Sequence, residues 1–350
     1  NYNVGDVFRI ASWVVEPASS TRGEKREFPE RANIIATASS VDIMDADTQK
    51  LWMRFSQGTN YALGSDANNN PSAVTMLNGK LFVTQNGTTS TGLYSMYFES
   101  DRMYRYNATD YRISDKNIAT RNGTNTYTFI DTSHKIVNVI ANDVSTTVVC
   151  TGNDAQPSSD TLLGKCFSPI QYVGVATNGG VSLINLSDTT TINSTDTSAF
   201  SDIEMVTNDG RATYNSSMYA AKASSVLNVY TNINSLAAGF ATTAVFSQAN
   251  KYAAPAATAV NINSIKVTKG TSVIDNTSNT IYLGTNADAA VIQESQTSPT
   301  VSSVKYFTNN FVTEDMVGDI RTMLPLGGTA ALHCSANPPI NTAAITSRIM

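Results

Sequence analysis

Asp42, Asp45 and Asp47 stand together in DIMDADTQK, residues 42–50, the kind of carboxylate grouping from which a divalent-cation loop is built. The full calcium loop also needs a glycine at its sixth place and a glutamate at its twelfth, and neither falls in position. The stretch therefore reads as a looser cation site or as a solvated acidic turn. A second concentration of chemistry lies in GLYSMYFESDRMYRYNATDYRI, residues 92–113. Here Tyr94, Tyr97, Arg102, Tyr104, Arg105, Tyr106 and Arg112 interleave aromatic rings with guanidinium groups, as glycan-recognition surfaces and interface hot spots do. The same residues are good strand formers that pack an edge strand with their hydroxyls in water. Both readings stay open at this level.

Material for catalysis is thin. The chain has two histidines, His134 and His333, and three cysteines. His333 and Cys334 are neighbours, but no second His or Cys cluster supplies the remaining ligands of a metal site. Cys150 and Cys166 flank a polar loop and could pair, leaving Cys334 over. Neither the nucleophile-elbow, zinc-protease and CxxC patterns nor a phosphate loop occurs, and the sialidase box is missing. The expectation is a non-enzyme without catalytic residues or cofactors.

The elements that would carry these side chains recur as hairpins. LFVTQNGTTSTGLYSMYF (81–98), VGVATNGGVSLINL (173–186), IEMVTNDGRATYNSS (203–217) and IYLGTNADAAVIQE (281–294) each set an apolar run on either side of a polar turn. The turns fall at Asn86-Gly87, Asn178-Gly179-Gly180, Asn208 to Gly210 and Asn286, residues that tolerate the positive φ of tight hairpins. NIIATASSVDIMD (33–45) is a fainter copy that bends at Ser39-Ser40. The spacing is irregular, 92 residues from Asn86 to Asn178 and 30 from there to Asn208. Intervals near 45 residues suit four-stranded units, and both faces of KLFV, YVGV and IYLG are apolar or small, as in strands sandwiched between neighbouring sheets. The predicted fold is all-β, a β-propeller of five to seven blades, with a large β-sandwich or jelly roll as the alternative.

The expected organisation is an N-terminal entry segment over 1–30, the propeller over 31–326, and a linker over 327–350 leading to a missing C-terminal region. Within it, FVTEDMVGDIRTMLPL (311–326) suggests a short helix capped by Thr313, running into a closing strand. The Ala-rich stretch 235–260 fits an irregular blade, an excursion between blades or a contact surface.

Composition narrows the partners. Of 350 residues, 41% are hydrophobic and only 15% charged, and the net charge of −5 is spread without a basic stripe, which argues against nucleic acid. No apolar run reaches the roughly 18 residues of a membrane span. Seven Asn-x-Ser/Thr sequons, at Asn86, Asn107, Asn122, Asn185, Asn193, Asn215 and Asn276, have the pattern of glycosylation sites.

SAVTMLNGKLFVTQNG with GLYSMYF, the Tyr-Arg-Tyr-Asn segment followed by NIATRN, then VGVATNGGVSLI and MVGDIRTMLPL, resemble a group of large proteins of marine tailed bacteriophages. In those proteins a propeller-type repeat region precedes laminin-G or concanavalin-like domains. The likeness covers roughly residues 30 to 326 and carries no catalytic residues to transfer. It implies a structural virion protein of a tail or tail fibre, outside the cell, concerned with assembly or host attachment. The implied partners are other virion proteins, copies of itself and a host-surface glycan.

Overall fold

The computed structural model describes residues 10–58, 61–64, 70–87, 91–150, 169–207, 216–224, 226–247, 261–269, 277–285, 289–295, 303–307 and 321–322. The positions Asn208, Gly210, Asn286, Cys166, His333 and Cys334, the helix expected near Thr313, and the linker over 327–350 lie outside them.

The chain is all-β, gathered into successive antiparallel sheets of the propeller-blade kind. The first sheet holds β1 (Ala32–Ala36), β2 (Ser40–Asp45) and β3 (Leu51–Ser56). The second holds β4 (Pro71–Leu77), β5 (Lys80–Gln85), β6 (Gly92–Tyr97), β7 (Arg102–Tyr106), β8 (Tyr111–Ser114) and β9 (Tyr127–Asp131). The third is β10 (Ala141–Cys150), β11 (Pro169–Thr177), β12 (Gly180–Asn185) and β13 (Thr191–Asn193). The fourth is β14 (Phe200–Thr207), β15 (Ser216–Lys222), β16 (Val226–Thr231) and β17 (Ala244–Ser247). The fifth is β18 (Ile262–Lys269), β19 (Thr277–Thr285), β20 (Ala289–Ser295), β21 (Ser303–Phe307) and β22 (Arg321–Thr322). Each sheet is a meander of consecutive strands. A jelly roll would exchange strands between sheets, and none of the described sheets does.

This layout explains the uneven motif spacing. In the second, third and fifth sheets the Asn turn joins the second and third strands, and in the fourth it joins the first and second. VGVATNGGVSLINL is thus the middle pair of its sheet, while the next copy sits one hairpin earlier in its own. β8 and β9 lengthen the second sheet and stretch the interval before Asn178.

Turn geometry departs from the sequence expectation. Between β11 and β12 the positive φ falls on Gly180, at +132°, the first residue of the returning strand. Asn178 and Gly179 supply a two-residue turn without it, and Thr177 Oγ1 accepts the Gly179 N–H at 3.1 Å. Likewise Asn86-Gly87 opens a longer connection, and among its described residues the left-handed one is Gly92, at φ +127°, where a Cβ would meet the Tyr106 carbonyl at 2.2 Å. The tight turn with two left-handed residues is Asn78-Gly79, at φ +50° and +67°, joining β4 and β5. At the bend between β1 and β2, Thr37 Oγ1 takes the Ser40 N–H at 3.0 Å, and Ser40 belongs to the strand.

The richness in Asn, Asp, Ser and Thr is turn chemistry. In Asn107-x-Thr109, Asp131-x-Ser133, Asn185-x-Ser187 and Asp188-x-Thr190, the first side chain accepts both the N–H and the hydroxyl of the residue two on. Four of the sequon asparagines take part in local bonding of this kind or lie inside the fold. Asn107 is buried, Asn122 bridges Ser56 N–H and the Arg54 carbonyl, Asn193 accepts from Ser182 Oγ, and Asn185 holds its turn.

The chain divides into two units, Asn1–Val144 and Ser145–Met350, the boundary falling inside β10. In the first, β1 lies beside β4, and the two sheets enclose Val41, Ile43, Trp52, Phe55, Leu81, Val83, Met96 and Met103. Each such side chain, fully removed from water, stabilises by roughly 1.5–3 kcal/mol. The segment read as an entry strip is part of this core. Its short helix α1 (Ser12–Val15) seats Trp13 edge-on to Trp52 and Phe98, with ring centroids 5.5 and 5.9 Å apart. In the second unit β14 contacts both β11 and β18. Tyr219, Leu227 and Val229 there pack on Ile265, Ile281 and Leu283. Strands β5, β11 and β12 are buried on both faces, as their unbroken apolar patterns predict.

Candidate functional site

The Tyr/Arg stretch forms β6, β7 and β8, and strand alternation divides its residues between two faces. Register places Tyr94 opposite Arg105 and Arg105 opposite Arg112 on one face. Tyr97 lies opposite Arg102 and Tyr106 opposite Tyr111 on the other, with Tyr104 between. On the first face Tyr94 joins the core, Arg105 lies over the Tyr127 ring at 5.4 Å, and Arg112 pairs with Asp110 at 2.6 Å. On the second face the rings form a ladder. Tyr97 meets Tyr104 at 4.9 Å, Tyr104 stacks on Tyr111 at 5.7 Å and 12°, and Tyr111 abuts His134 at 5.5 Å. Burial pushes the Tyr97 phenol up to about 12 and Tyr106 well above its ordinary value.

Only Arg102 of the seven is exposed. It borders a cleft of about 350 Å³ lined by Ile10, Ser100, Asp101, Asn117 and Thr120. Asp101, at φ +56°, is a staple in this wall. Its carboxylate accepts Ser12 N–H and Oγ–H at 2.8 and 2.9 Å and Ile118 N–H at 3.0 Å, fixing α1 against the turn at 118–120. The cleft thus sets two cations, Arg102 and Lys116, among three carboxylates, Glu99, Asp101 and Asp115, with hydroxyl and amide groups between them, so it suits a neutral hydroxyl-bearing ligand better than an anion.

His134 sits at the end of the ladder. Its Nδ1 contacts Asp131 Oδ2 at 2.6 Å and Ser133 Oγ at 3.2 Å. A proton relay would need the serine and the carboxylate on different ring nitrogens, so the trio is not a nucleophilic triad. Burial acts to raise the Asp131 carboxyl, but its bonds from His134 and Ser133 outweigh this and hold it low.

The acidic grouping does not converge either, which corrects its reading as a cation site. Asp42 and Asp45 lie three apart on β2 and so point to opposite faces. Asp42 forms a forked pair with Arg54 at 2.6 and 2.7 Å, Asp45 pairs with Lys25 and takes Thr48 N–H at 2.8 Å, and Asp47 pairs with Arg31. Among the described residues no three His, Cys, Asp or Glu side chains are grouped to hold a metal ion. No helix there is long and apolar enough to cross a membrane.

Three arrangements escape the sequence reading. Arg121, 1% exposed, donates to the carbonyls of Arg54, Thr21 and Ile118 and to Glu16 Oε2 at 2.7 Å. In the second unit Glu294, Tyr219 and Asn279 are wholly buried, Tyr219 and Asn279 donating to one carboxylate oxygen. Asp202 and Glu204 share a face of β14, Asp202 accepting Ile265 N–H at 3.0 Å and Glu204 pairing with Lys266 at 2.6 Å. Burial raises the Glu204 carboxyl, opposed by Lys266. The signal available was the D-x-E spacing of residues 202–204, but its significance depends on β18 lying alongside.

No family model matches the chain, and no curated protein does. Among solved structures, BBS1N in complex with ARL6DN, soaked with lead, matches at 9% identity and a TM-score of 0.37, over 79% of this chain and 71% of that one. A nidogen/laminin complex matches at 7% identity and a TM-score of 0.36, over 79% and 85%. Likenesses of this degree carry no argument about what the present chain does.

Proposed function

We propose that the chain is a non-enzymatic structural component of a tailed-phage virion, part of a tail or tail fibre, working outside the cell in assembly or host attachment. The observation that carries the structural half of this reading is the use of charged groups as staples. Arg121–Glu16, Arg54–Asp42, Lys222–Asp196 and Lys266–Glu204 each tie separate strands or segments within one unit. Such pairing suits a rigid particle component. The virion assignment rests on the turn-and-strand resemblance of residues 30 to 326. Its partners are other virion proteins, copies of itself and a glycan at the Arg102 cleft. Mass spectrometry of purified tailed particles from the source tests it: the chain's peptides should co-purify with tail proteins at stoichiometric levels. Their absence from particles that carry the gene would refute it.

Asp202 and Glu204 favour a second reading, a secreted carbohydrate-binding or carbohydrate-cleaving propeller. Two residues apart on one strand, they put two carboxylates on the same face of β14, and a pair of carboxylates is what glycosidases work with. A glycan array followed by hydrolysis assays on the bound sugars separates the readings. Turnover abolished by Glu204→Gln would favour the enzyme.

A further inference from the structure

Four Asn-Gly pairs occur in the chain, at Asn78, Asn86, Asn122 and Asn178. In such a pair the backbone nitrogen of the glycine can attack the asparagine side-chain carbonyl, because no Cβ on the following residue stands in the way. The fold treats the four differently. Asn122 has both ends of its amide bonded, Oδ1 accepting Ser56 N–H at 2.7 Å and Nδ2 donating to the Arg54 carbonyl at 3.0 Å. At Asn178 the attacking nitrogen is engaged, Gly179 N–H donating to Thr177 Oγ1 at 3.1 Å. At Asn86 the following Gly87 is buried, away from the hydroxide that must take its proton. Asn78 is exposed, and among the described residues no bond holds its side chain, its carbonyl or the Gly79 N–H. The 78–79 peptide unit is therefore free to rotate and carry its nitrogen to Cγ. A Cβ at Gly79 would meet nothing within 4 Å, so an imide ring has room.

We propose that Asn78 is a site of spontaneous covalent modification, losing its side-chain amide through a cyclic imide with Gly79. The Gly79 nitrogen gives up its proton and forms a bond to Asn78 Cγ, while the Cγ–Nδ2 bond breaks and the side-chain nitrogen leaves as ammonia with that proton. One water then opens the ring. Addition at Cγ leaves aspartate. Addition at the Asn78 backbone carbonyl leaves isoaspartate, in which the chain runs through Cβ and Cγ and is one carbon longer. The reaction requires neither enzyme nor oxidant, and nothing in it depends on the chain's belonging to a virion.

The turn makes the longer product consequential. β4 and β5 are joined by these two left-handed residues alone, a length and conformation matched to the twist of the flanking strands. The Gly79 carbonyl also accepts Phe98 N–H at 3.0 Å, and the Phe98 ring lies 5.9 Å from that of Trp13 and 5.3 Å from that of Trp52. Isoaspartate in the turn thus loosens the edge of the first unit's core.

Ageing the whole chain in mildly alkaline buffer, followed by peptide mapping with mass spectrometry, tests the site. Freeing Asn122 or Gly179 breaks at least one hydrogen bond, so Asn78 should convert about tenfold faster than Asn122 or Asn178. In urea that difference should vanish. Asn78→Gly keeps the left-handed turn without an amide. After ageing, tryptophan fluorescence should show a urea midpoint lowered by about 0.5 M in the native sequence and unchanged in this variant. Conversion at Asn78 no faster than at Asn122 and Asn178 would overturn the site, and an equal loss of stability in aged Asn78→Gly would overturn its consequence.

Discussion

Arg121→Met removes a buried guanidinium while keeping much of its packing over the Phe55 ring, 5.5 Å away. It leaves Glu16, whose side chain is 13% exposed, without its cation, and takes one of two donors from each of the Arg54, Thr21 and Ile118 carbonyls. Removing one member of a buried pair costs about 3–5 kcal/mol, which at a urea slope of about 2 kcal/mol/M lowers the midpoint by about 1.5–2.5 M. The chain's two tryptophans, Trp13 and Trp52, both lie in the core of the first unit, so their fluorescence reports that unit's unfolding alone. Glu16→Gln retains an acceptor for Arg121 and should cost about 1 kcal/mol. A midpoint shift below about 0.5 M for Arg121→Met, equivalent to about 1 kcal/mol, would refute the assignment of Arg121 as the clamp on the N-terminal segment.

Substituting Val for Gly180, where φ is +132°, should destabilise by about 2 kcal/mol more than the same change at Gly179, as read by thermal unfolding of the pair. Gly92→Ala should be worse than either, since its Cβ would meet a carbonyl at 2.2 Å, and soluble yield would show it. Burial opposes ionisation of Asp196, yet Lys222, Ser198 and Asn228 together hold its carboxyl low. A depressed carboxylate adds stability above its unfolded value of about 3.9. Melting temperature should therefore fall from about pH 4 downward, and less steeply in Asp196→Asn. At the alkaline end, Tyr97 and Tyr230, both pushed up to about 12, stay protonated while ordinary tyrosines ionise, and the fold loses stability only as pH rises past about 10. An ultraviolet titration complete by pH 11 without unfolding would contradict this.

The hairpins were legible because local chemistry dictates them: apolar runs around Asn-Gly turns became β5–β6 and β11–β12. Where the left-handed residue falls was not legible, because Gly180 and Gly92 answer to strand re-entry and the close approach of Tyr106. The aspartates misled for a related reason. Proximity in sequence became divergence in space once β2 alternated them, and Lys25 and Arg31 arrived from a segment that gave no strand signal. Asp202 and Glu204 gained meaning only through β18, 61 residues beyond Glu204 at Ile265. The Tyr/Arg stretch was visible as strand and aromatic, while its division between two faces required the register.

The meander of consecutive strands bears on synthesis. Each sheet can pair as it leaves the ribosome, since none waits for a distant partner strand. The N-terminal segment is the exception. Trp13 and Thr21 reach the early sheets, but the guanidinium that pairs with Glu16 and donates to the Thr21 carbonyl belongs to Arg121, 100 residues after Thr21. Residues 19–23 can dock on β3 as soon as it emerges, through Gly23 N–H to the Trp52 carbonyl and Arg54 N–H to the Thr21 carbonyl, whereas Glu16 waits for its cation until Arg121 follows.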